Sequence, residues 1–202
     1  TTKEEMKNLG WDSIDVLLIS GDTYLDTSYN GSALVGKWLV EHGFKVGIIA
    51  QPEVDVPDDI TRLGEPNLFF AVSGGCVDSM VANYTATKKR RQQDDFTPGG
   101  VNNKRPDRAV LVYSNMIRRF FKGTTKKIVI SGIESSLRRI THYDYWTNKL
   151  RKPILFDAKA DILSYGMGEM SMLQLANALK NDEDWKNIRG LCYLSKEMKE
   201  DY

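Results

Sequence analysis

The chain has 202 residues, of which 41% are hydrophobic and 27% charged, and these ordinary proportions exclude a disordered, collagen-like or coiled-coil protein and favour one globular domain. The formal net charge of +1 neither favours nor excludes a polyanionic partner, and no apolar run is long enough to span a membrane. Two cysteines and two histidines, in no zinc or iron–sulfur spacing, exclude a structural zinc site and a [4Fe-4S] cluster held by this chain alone, and they predict a reducing, cytoplasmic location.

The first predicted elements form a β-α-β unit. Residues 1–10 are typical of a short helical extension that begins with a capping box. Residues 14–20 are mostly apolar and β-branched and are followed by a glycine, which predicts a strand buried on both faces. A polar loop leads to a predicted helix over 32–42, and a second strand follows over 44–50. This spacing is typical of a right-handed parallel crossover.

Strands and helices continue to alternate along the chain. Further strands are predicted over 68–72, 127–132, 160–166 and 188–194, and further helices over 57–63, 77–91, 106–122 and 169–179. We therefore predict an α/β fold: a three-layer, doubly wound, mainly parallel sheet of the flavodoxin-like, Rossmann type, with strand order 2-1-3-4-5. The predicted organisation is a helical extension (1–10), an α/β domain (11–186) and the start of a connection to a further domain (187–202), so we expect the chain to be a piece of a longer polypeptide.

The loop after the first strand is the first candidate site, because ligands of such sheets bind beyond the carboxyl ends of the strands. It has neither the G-x-G-x-x-G dinucleotide fingerprint nor a P-loop. It does contain Asp22, Tyr24 and Asp26 close to the start of a helix. The two carboxylates either cap the turn and the helix or contact a ligand, and the sequence leaves both interpretations open.

The third predicted strand ends at Ser73-Gly74-Gly75, just before a helix. Backbone amides at such a position can receive an anion, whereas glycines there also permit a tight turn without any ligand. Cys76 follows at the helix start, where a thiol pKa can be lowered. With no adjacent histidine or carboxylate in the sequence, we expect it to be an unreactive small residue.

The densest polar segment follows the fourth predicted strand and includes Glu134, Arg138, Arg139, His142 and Asp144. His142 with Asp144 would form an acid–base pair, and the two arginines would hold a carboxylate or phosphate. The alternative is an ion-paired connection that docks against a neighbouring domain.

Residues 87–127 are strongly basic, with twelve lysines and arginines against three aspartates. A nucleic-acid surface is one interpretation of such a stretch. The nearby aromatic residues Tyr113, Phe120 and Phe121 fall mainly on the apolar stripe of a predicted helix, so they are poor stacking platforms. A solvated basic face is therefore favoured, and nucleic acid is not an expected partner.

A set of sequence blocks recurs together in one known family. The blocks are 20–26, 47–52, 67–70, 78–80, 84–86, 97–100, 104–109, 132–134, 136–139, 142–146 and 157–161. On these blocks the chain resembles the N-terminal region of the YgiQ family of radical S-adenosylmethionine (SAM) proteins, from about Gly10 to Tyr193.

The resemblance implies that a second, (β/α)-barrel-like domain follows and carries a C-x-x-x-C-x-x-C motif that binds a [4Fe-4S] cluster and SAM. It also implies a likeness to cobalamin-binding domains, although the D-x-H-x-x-G motif, whose histidine ligates cobalt, is missing from this chain. The family often has His-Pro where this chain has Thr27-Ser28, and Cys76 stands where another small or polar residue is expected. No role is assigned to these positions by inheritance.

We therefore interpret the chain as the N-terminal domain of a radical SAM enzyme of undefined substrate. It is expected to support substrate or second-cofactor binding for a catalytic domain of the same polypeptide and to be non-catalytic by itself. The alternative is a non-catalytic module that binds cobalamin or a nucleotide. The residues expected to contact a small-molecule ligand or the neighbouring domain are Asp22, Tyr24, Ser73, Gly74, Gly75, Glu134, Arg138, Arg139, His142 and Asp144.

Overall fold

The apolar, β-branched runs form the strands of the computed structural model, which describes residues 1–26 and 30–196; Thr27 and Ser28 lie outside the described residues. In chain order the strands are β1 (Val16–Ser20), β2 (Val46–Ala50), β3 (Phe69–Ser73), β4 (Lys127–Ser131), β5 (His142–Asp144), β6 (Lys149–Arg151), β7 (Ile162–Ser164) and β8 (Leu191–Tyr193). The helices are α1 (Lys3–Asn8), α2 (Gly31–Glu41), α3 (Pro57–Thr61), α4 (Ser79–Asn83), α5 (Ala109–Phe120), α6 (Gly132–Leu137), α7 (Ile154–Ala158) and α8 (Glu169–Lys180).

A six-stranded sheet lies at the centre of the fold, in the order β2-β1-β3-β4-β7-β8. The first five of these strands run parallel, and β8 is antiparallel to β7 at the edge. The predicted fold class and the order 2-1-3-4-5 are confirmed, and the last predicted strand is the antiparallel edge strand. The register places Ser20, Ser73 and Ser131, the last residues of β1, β3 and β4, side by side at the carboxyl edge.

Helices cover both faces of this sheet, because its strands carry apolar side chains on both sides. In β1, Leu17 and Ile19 pack in the core shared with α3, α5 and α7. Val16 and Leu18 alternate with them and pack in the core shared with α2 and α8. Successive side chains of a strand point to opposite faces, so an unbroken apolar run needs a helical layer on each side. The result is the predicted three-layer arrangement.

A small antiparallel hairpin, β5–β6, interrupts the alternation between β4 and β7. The sequence of this segment resembles a polar connecting loop, because each strand is only three residues long and three of the six strand residues are exposed. The hairpin stands apart from the main sheet. It carries two of the expected site residues, His142 and Asp144.

The helix predicted over 77–91 is wrong in its second half. α4 ends at Asn83, and Tyr84 is extended and pairs with Arg90 in an isolated antiparallel bridge. Lys88 has a φ of 62°, a left-handed conformation that does not continue a right-handed helix. The basic run is therefore a bridged turn and not the last turn of a helix.

The N-terminal extension forms as predicted. Thr2 and Glu5 make a capping box at the start of α1, with each side chain bonded to the other's backbone amide. Within the described residues, none of the helices combines the length and the apolar character required to cross a membrane.

The turns after β1 and β3 approach too closely for any side chain. A Cβ built on Gly21 collides with the backbone carbonyl of Gly74, which cannot rotate away as a flexible side chain would. We expect Gly21→Ala to lower the free energy of unfolding by about 1–3 kcal/mol, the usual cost of overpacking. Urea denaturation of the chain measures this loss.

Gly31→Ala is the matched control, because a Cβ at Gly31 has no neighbour within 4 Å and the residue starts a helix. It should be neutral or stabilise by up to about 1 kcal/mol. Equal destabilisation by the two substitutions would contradict the close approach of the turns.

Candidate ligand-binding cleft

A cleft opens at the carboxyl edge of the sheet, beside the row of serines that ends β1, β3 and β4. It consists of two adjoining cavities of about 250 Å³ and about 200 Å³. The two cavities share Gly31, Ser32, Ser73 and Gly132 in their walls, and we call them together the carboxyl-edge cleft. Its position is the topological switch point, where β1 and β3 are neighbours and the chain crosses in opposite directions.

The floor and the walls of the cleft differ in chemistry. Leu18, Ala71 and Met172 supply apolar surface at the bottom of the larger cavity. Glycine and serine recur in the walls, and Ile133, Met167 and Glu169 line them as well. Such a cleft suits a slender ligand group with an apolar body and a few polar atoms.

Two long helices begin at the carboxyl-edge cleft. α2 starts at Gly31, behind Asn30, whose side chain accepts a hydrogen bond from the amide of Ala33 at 3.2 Å. α8 starts behind Gly168, which has no capping side chain. The first-turn amides of a helix carry partial positive charge, so this wall favours carbonyl or anionic groups of a ligand. Glu169 also lines the cleft and offsets part of that charge.

The Ser73-Gly74-Gly75 turn is shaped by two carboxylates of the protein itself. A Cβ on Gly74 would collide with the carboxylate of Glu134, and one on Gly75 would collide with that of Asp22. Gly75 also has a φ of +110°, which glycine adopts readily. Ser73 and Gly75 line the cleft, while Gly74 faces the buried carboxylate behind it.

Asp22 lies at the centre of a buried ionic network and is 1% exposed. Its carboxylate accepts hydrogen bonds from the Cys76 amide at 2.5 Å and from Nη2 of Arg105 at 2.6 Å. Burial raises the pKa of Asp22, and these two donors work in the opposite direction. The amide of Cys76 therefore binds an anionic group of the protein itself, the carboxylate of Asp22.

Arg105 joins the first strand to the long basic loop. Its side chain is fully buried, Nε donates to the Gly21 carbonyl at 3.0 Å, and Nη2 lies 3.2 Å from the carboxylate of Asp94. Gln51, at the end of β2, donates to the same carbonyl and to Thr97 of the loop. One guanidinium thus fixes the end of β1 against the loop that follows α4.

Glu134 is a second buried carboxylate, 2% exposed. It accepts hydrogen bonds from the amide of Ser79 at 3.0 Å and from that of Val110 at 3.2 Å, near the starts of α4 and α5. Burial and the nearby charge of Asp78 raise the pKa of Glu134. These contacts join α4, α5 and α6 behind the cleft. The role of Glu134 in this arrangement is structural. Arg138 is paired with Asp78 beside it.

The acid–base pair suggested by His142 and Asp144 is not formed. Asp144 accepts a hydrogen bond from Arg108 at 2.8 Å and another from Thr147, and Nε of Arg151 lies 3.3 Å away. Burial opposes its ionisation, but the Thr147 and Arg108 hydrogen bonds and the arginine charges outweigh burial and lower the pKa of Asp144 to about 2. His142 instead places Nδ1 at 3.1 Å from the Ile140 carbonyl oxygen.

The expected site residues therefore separate into groups. Asp22, Ser73 and Gly75 line the carboxyl-edge cleft, and Gly74 and Glu134 lie directly behind it. Tyr24 lines a different groove, between α1, α2 and β2. Arg139 is exposed, with its guanidinium 5.3 Å from the ring centroid of Tyr165. The structure does not bring Tyr24, Arg138, Arg139, His142 or Asp144 into the cleft.

Other cleft residues were missed. Ser32, Ser131, Gly132, Gly166 and Gly168 line the cleft. Gly132, Gly166 and Gly168 follow strands that end at the same edge, and this shared position is the signal that would have found them. Arg105 had no such signal, since it is one of twelve basic residues in its segment.

The described residues offer no metal centre: they contain no group of three or more His, Cys, Asp or Glu side chains arranged to hold an ion. Burial and the neighbouring Asp22 raise the pKa of Cys76 to about 11, so its thiol stays protonated at neutral pH. The low reactivity expected from the sequence agrees with this environment.

A doubly wound, mainly parallel sheet with a cleft at its switch point defines a Rossmann-type class of domain. Within that class the chain belongs to the Radical SAM N-terminal family, whose model matches residues 1–202. The family resemblance read from the sequence blocks is confirmed.

Relatives in several organisms extend well beyond this chain. A UPF0313 protein of Fusobacterium nucleatum is 98% identical over 202 residues, which are 100% of this chain and 36% of that protein. A UPF0313 protein of Thermotoga neapolitana is 54% identical over 204 residues, again 100% of this chain and 36% of the relative. One of Methanocaldococcus jannaschii is 53% identical over 188 residues, 93% of this chain and 31% of the relative. The chain spans about a third of the length of these relatives.

A solved structure shares the fold. The radical S-adenosylmethionine methyltransferase TsrM from Kitasatospora setae, with tryptophan substrate and a SAM analogue bound, matches at a TM-score of 0.59 and 16% identity, over 91% of this chain and 29% of TsrM. A second TsrM structure, with cobalamin and a [4Fe-4S] cluster bound, matches at the same TM-score over 28% of that chain. At this identity the likeness is one of fold.

Removing the buried guanidinium should destabilise the domain strongly. Arg105→Met leaves the carboxylates of Asp22 and Asp94 buried without their cation, and we expect a loss of about 3–5 kcal/mol in the free energy of unfolding. Adding Asp22→Asn and Asp94→Asn should recover part of the loss, because neutral amides tolerate burial better than unpaired charges. Chemical denaturation of the wild type, of Arg105→Met and of the triple variant measures the three free energies of unfolding.

Arg119→Met is the control, because Arg119 forms an exposed ion pair with Asp55. Such pairs contribute about 1 kcal/mol or less. If Arg105→Met were as mild as Arg119→Met, the buried carboxylates would not depend on the Arg105 guanidinium.

Asp144 should make the stability of the domain depend on acidic pH. Its pKa is about 2 in the folded protein, below the ordinary 3.8, so its ionised form contributes stability that is fully present above 3.8 and is lost as the pH falls toward 2. The difference in unfolding free energy between the wild type and Asp144→Asn should therefore shrink between about pH 5 and about pH 2. A constant difference over that range, measured by urea titration, would contradict the assignment.

Proposed function

We propose that this chain is the ligand-binding N-terminal domain of a radical SAM enzyme, and that its carboxyl-edge cleft holds part of a substrate or second cofactor. The observation that carries the proposal is the cleft itself, with an apolar floor, walls that include several glycines and serines, and the first turns of α2 and α8 in its wall. The catalytic chemistry belongs to the rest of the polypeptide, and this chain alone is non-catalytic.

The residues present do not fit a [4Fe-4S] cluster. Such a cluster is held by three or four thiolates, and the chain has two cysteines in total. One of them, Cys76, has its pKa raised to about 11. In the proposed enzyme, the cluster and the SAM that binds to it are therefore held by the part of the polypeptide that follows this chain.

Cobalamin is the first ligand to test, because the solved TsrM structure that shares this fold has cobalamin bound. In the proposed complex an arm of the cofactor enters the cleft, with Ser32 and Ser73 as polar contacts. Neither histidine lines the cleft: His42 caps the far end of α2, and His142 lies in the hairpin. Cobalamin bound here would lack a histidine ligand to cobalt from the described residues.

A nucleotide is the second candidate ligand. Its support is the convergence of two helix N-termini on one wall of the cleft, where first-turn amides can bind phosphate oxygens. Glu169 on the same wall disfavours a highly charged group, so we rank a nucleotide behind cobalamin.

Basic residues of the segment 87–127 give little support to a nucleic-acid function. Several of them are paired with carboxylates: Arg90 with Asp107, Arg105 with Asp94, Arg118 with Asp161, and Arg119 with Asp55.

We also propose that the protein is cytoplasmic, where reducing conditions keep Cys76 and Cys192 as thiols.

The test is binding of hydroxocobalamin to the chain, followed by its visible absorption spectrum and by equilibrium dialysis. Ser32→Phe fills the shared wall of the two cavities and should weaken binding by about tenfold or more, corresponding to at least about 1.4 kcal/mol. Leu34→Phe, also on α2 but outside the walls of the cleft, is the matched control and should bind like the wild type.

A second titration with ATP separates the two ligands. Retention of ATP with no uptake of hydroxocobalamin would favour the nucleotide. Equal binding of either compound by wild type and Ser32→Phe would exclude the cleft as its site, and uptake of neither would leave the domain with a purely architectural role.

A further inference from the structure

A group of exposed apolar side chains lies beside the carboxyl-edge cleft. They come from two segments, α6 with the turn after it and the loop from β7 into α8, and are between 39% and 84% exposed. We call them the apolar patch: Ile133, Leu137, Ile140, Tyr165, Met167 and Met170. Single exposed apolar residues are ordinary, whereas a contiguous group of large ones marks an interaction surface.

The two segments of the patch are held together. β4 and β7 are neighbours in the sheet, so the elements that follow them emerge side by side. The amide of Gly166 donates a hydrogen bond to Oγ of Ser136 at 3.3 Å, which joins the loop after β7 to α6. Arg139 lies against the ring of Tyr165 and adds a second contact. The patch is thus one surface.

The patch is continuous with the cleft. Met167 lines the larger cavity, and Ile133 lines the smaller one. Whatever covers the patch therefore also stands over the mouth of the cleft. Two methionines in the patch suit an interface, since their flexible side chains adapt to an opposing surface.

We propose that the apolar patch is the docking surface for the remaining two-thirds of the same polypeptide, the part that follows this chain. The occupant is argued from chain length: residues 1–202 are 36% of the relative that is 98% identical, so a much larger segment of the same polypeptide is tethered to this domain. The proposal rests on the proposed function in one respect, that the following segment is the catalytic domain that acts on the ligand in the cleft.

The route of the chain permits this docking. β8 runs antiparallel to β7, from Leu191 beside Ser164 at the carboxyl edge to Tyr193 beside Ile162. The chain therefore leaves the sheet only one short strand away from the patch, about 10 Å for three residues. A short linker is enough to return the following segment to the carboxyl edge.

Methionine oxidation in the full-length polypeptide tests the proposal. Met170 is 57% exposed in this chain and does not line the cleft, so a ligand does not mask it. With dilute hydrogen peroxide and mass spectrometry, we expect Met170 to react at least about fivefold more slowly in the full-length protein than in the same protein carrying Leu137→Glu. Oxidation of Met6, in α1 on the far side, is the internal reference and should not change.

Val40→Glu is the matched control, since it places the same charge on the apolar groove beside α1 and β2. It should leave the Met170 rate unchanged. The docking surface would be overturned if Met170 were oxidised at the same rate in the wild type and in Leu137→Glu. It would also be overturned if Val40→Glu accelerated the oxidation of Met6 while Leu137→Glu left the oxidation of Met170 unchanged. Protection of Met170 that grows with protein concentration would overturn it too, because the cover would then be a second copy.

Hydroxocobalamin binding is measured on the same samples, which separates the two proposals. Protection of Met170 without ligand uptake refutes the ligand and keeps the docking surface. Ligand uptake with an unprotected Met170 refutes the docking surface and keeps the ligand.

Discussion

The fully buried guanidinium of Arg105, held between Asp22 and Asp94, is the interaction on which the carboxyl edge of this domain depends. A buried ion pair contributes little net stability compared with apolar packing, but breaking it is costly, so it specifies one arrangement. Here it joins the end of β1 to a loop more than seventy residues further along the chain, through the Gly21 carbonyl and the Asp94 carboxylate. The strand ends are fixed before any ligand arrives.

Two buried carboxylates also explain the glycines of the turn after β3. Asp22 and Glu134 bring their carboxylates against the turn after β3, and only glycine fits at Gly74 and Gly75. The amides that such a turn would offer to a ligand are partly used internally, since the Cys76 amide is bonded to Asp22. The free surface of the cleft therefore comes from the starts of α2 and α8, and the buried acids act as supports behind it.

Local patterns in the sequence were enough to predict the sheet and its order, because each parallel strand is an unbroken apolar run and each crossover has its own glycine or cap. The long-range polar contacts could not be predicted. Asp144 is two residues from His142, yet its partners are Arg108 and Arg151, which the hairpin and α5 bring to it. The sequence does not distinguish Arg105 from the other basic residues of its segment. In the fold Arg105 is fully buried, whereas Arg119 is exposed.

The cleft and the apolar patch together limit how a ligand can be enclosed. The floor is the sheet, and two walls are the first turns of α2 and α8, so among residues 1–26 and 30–196 the cover over the mouth of the cleft is incomplete. Ile133 and Met167 lie at the border of the mouth, and both are apolar and exposed. Burial of these side chains by a partner would exclude water from the contact, whereas a polar or charged border would stay hydrated. A group bound in the cleft and exposed at its mouth would then face the docked segment directly, which is the geometry required if one domain holds a ligand and another supplies the chemistry.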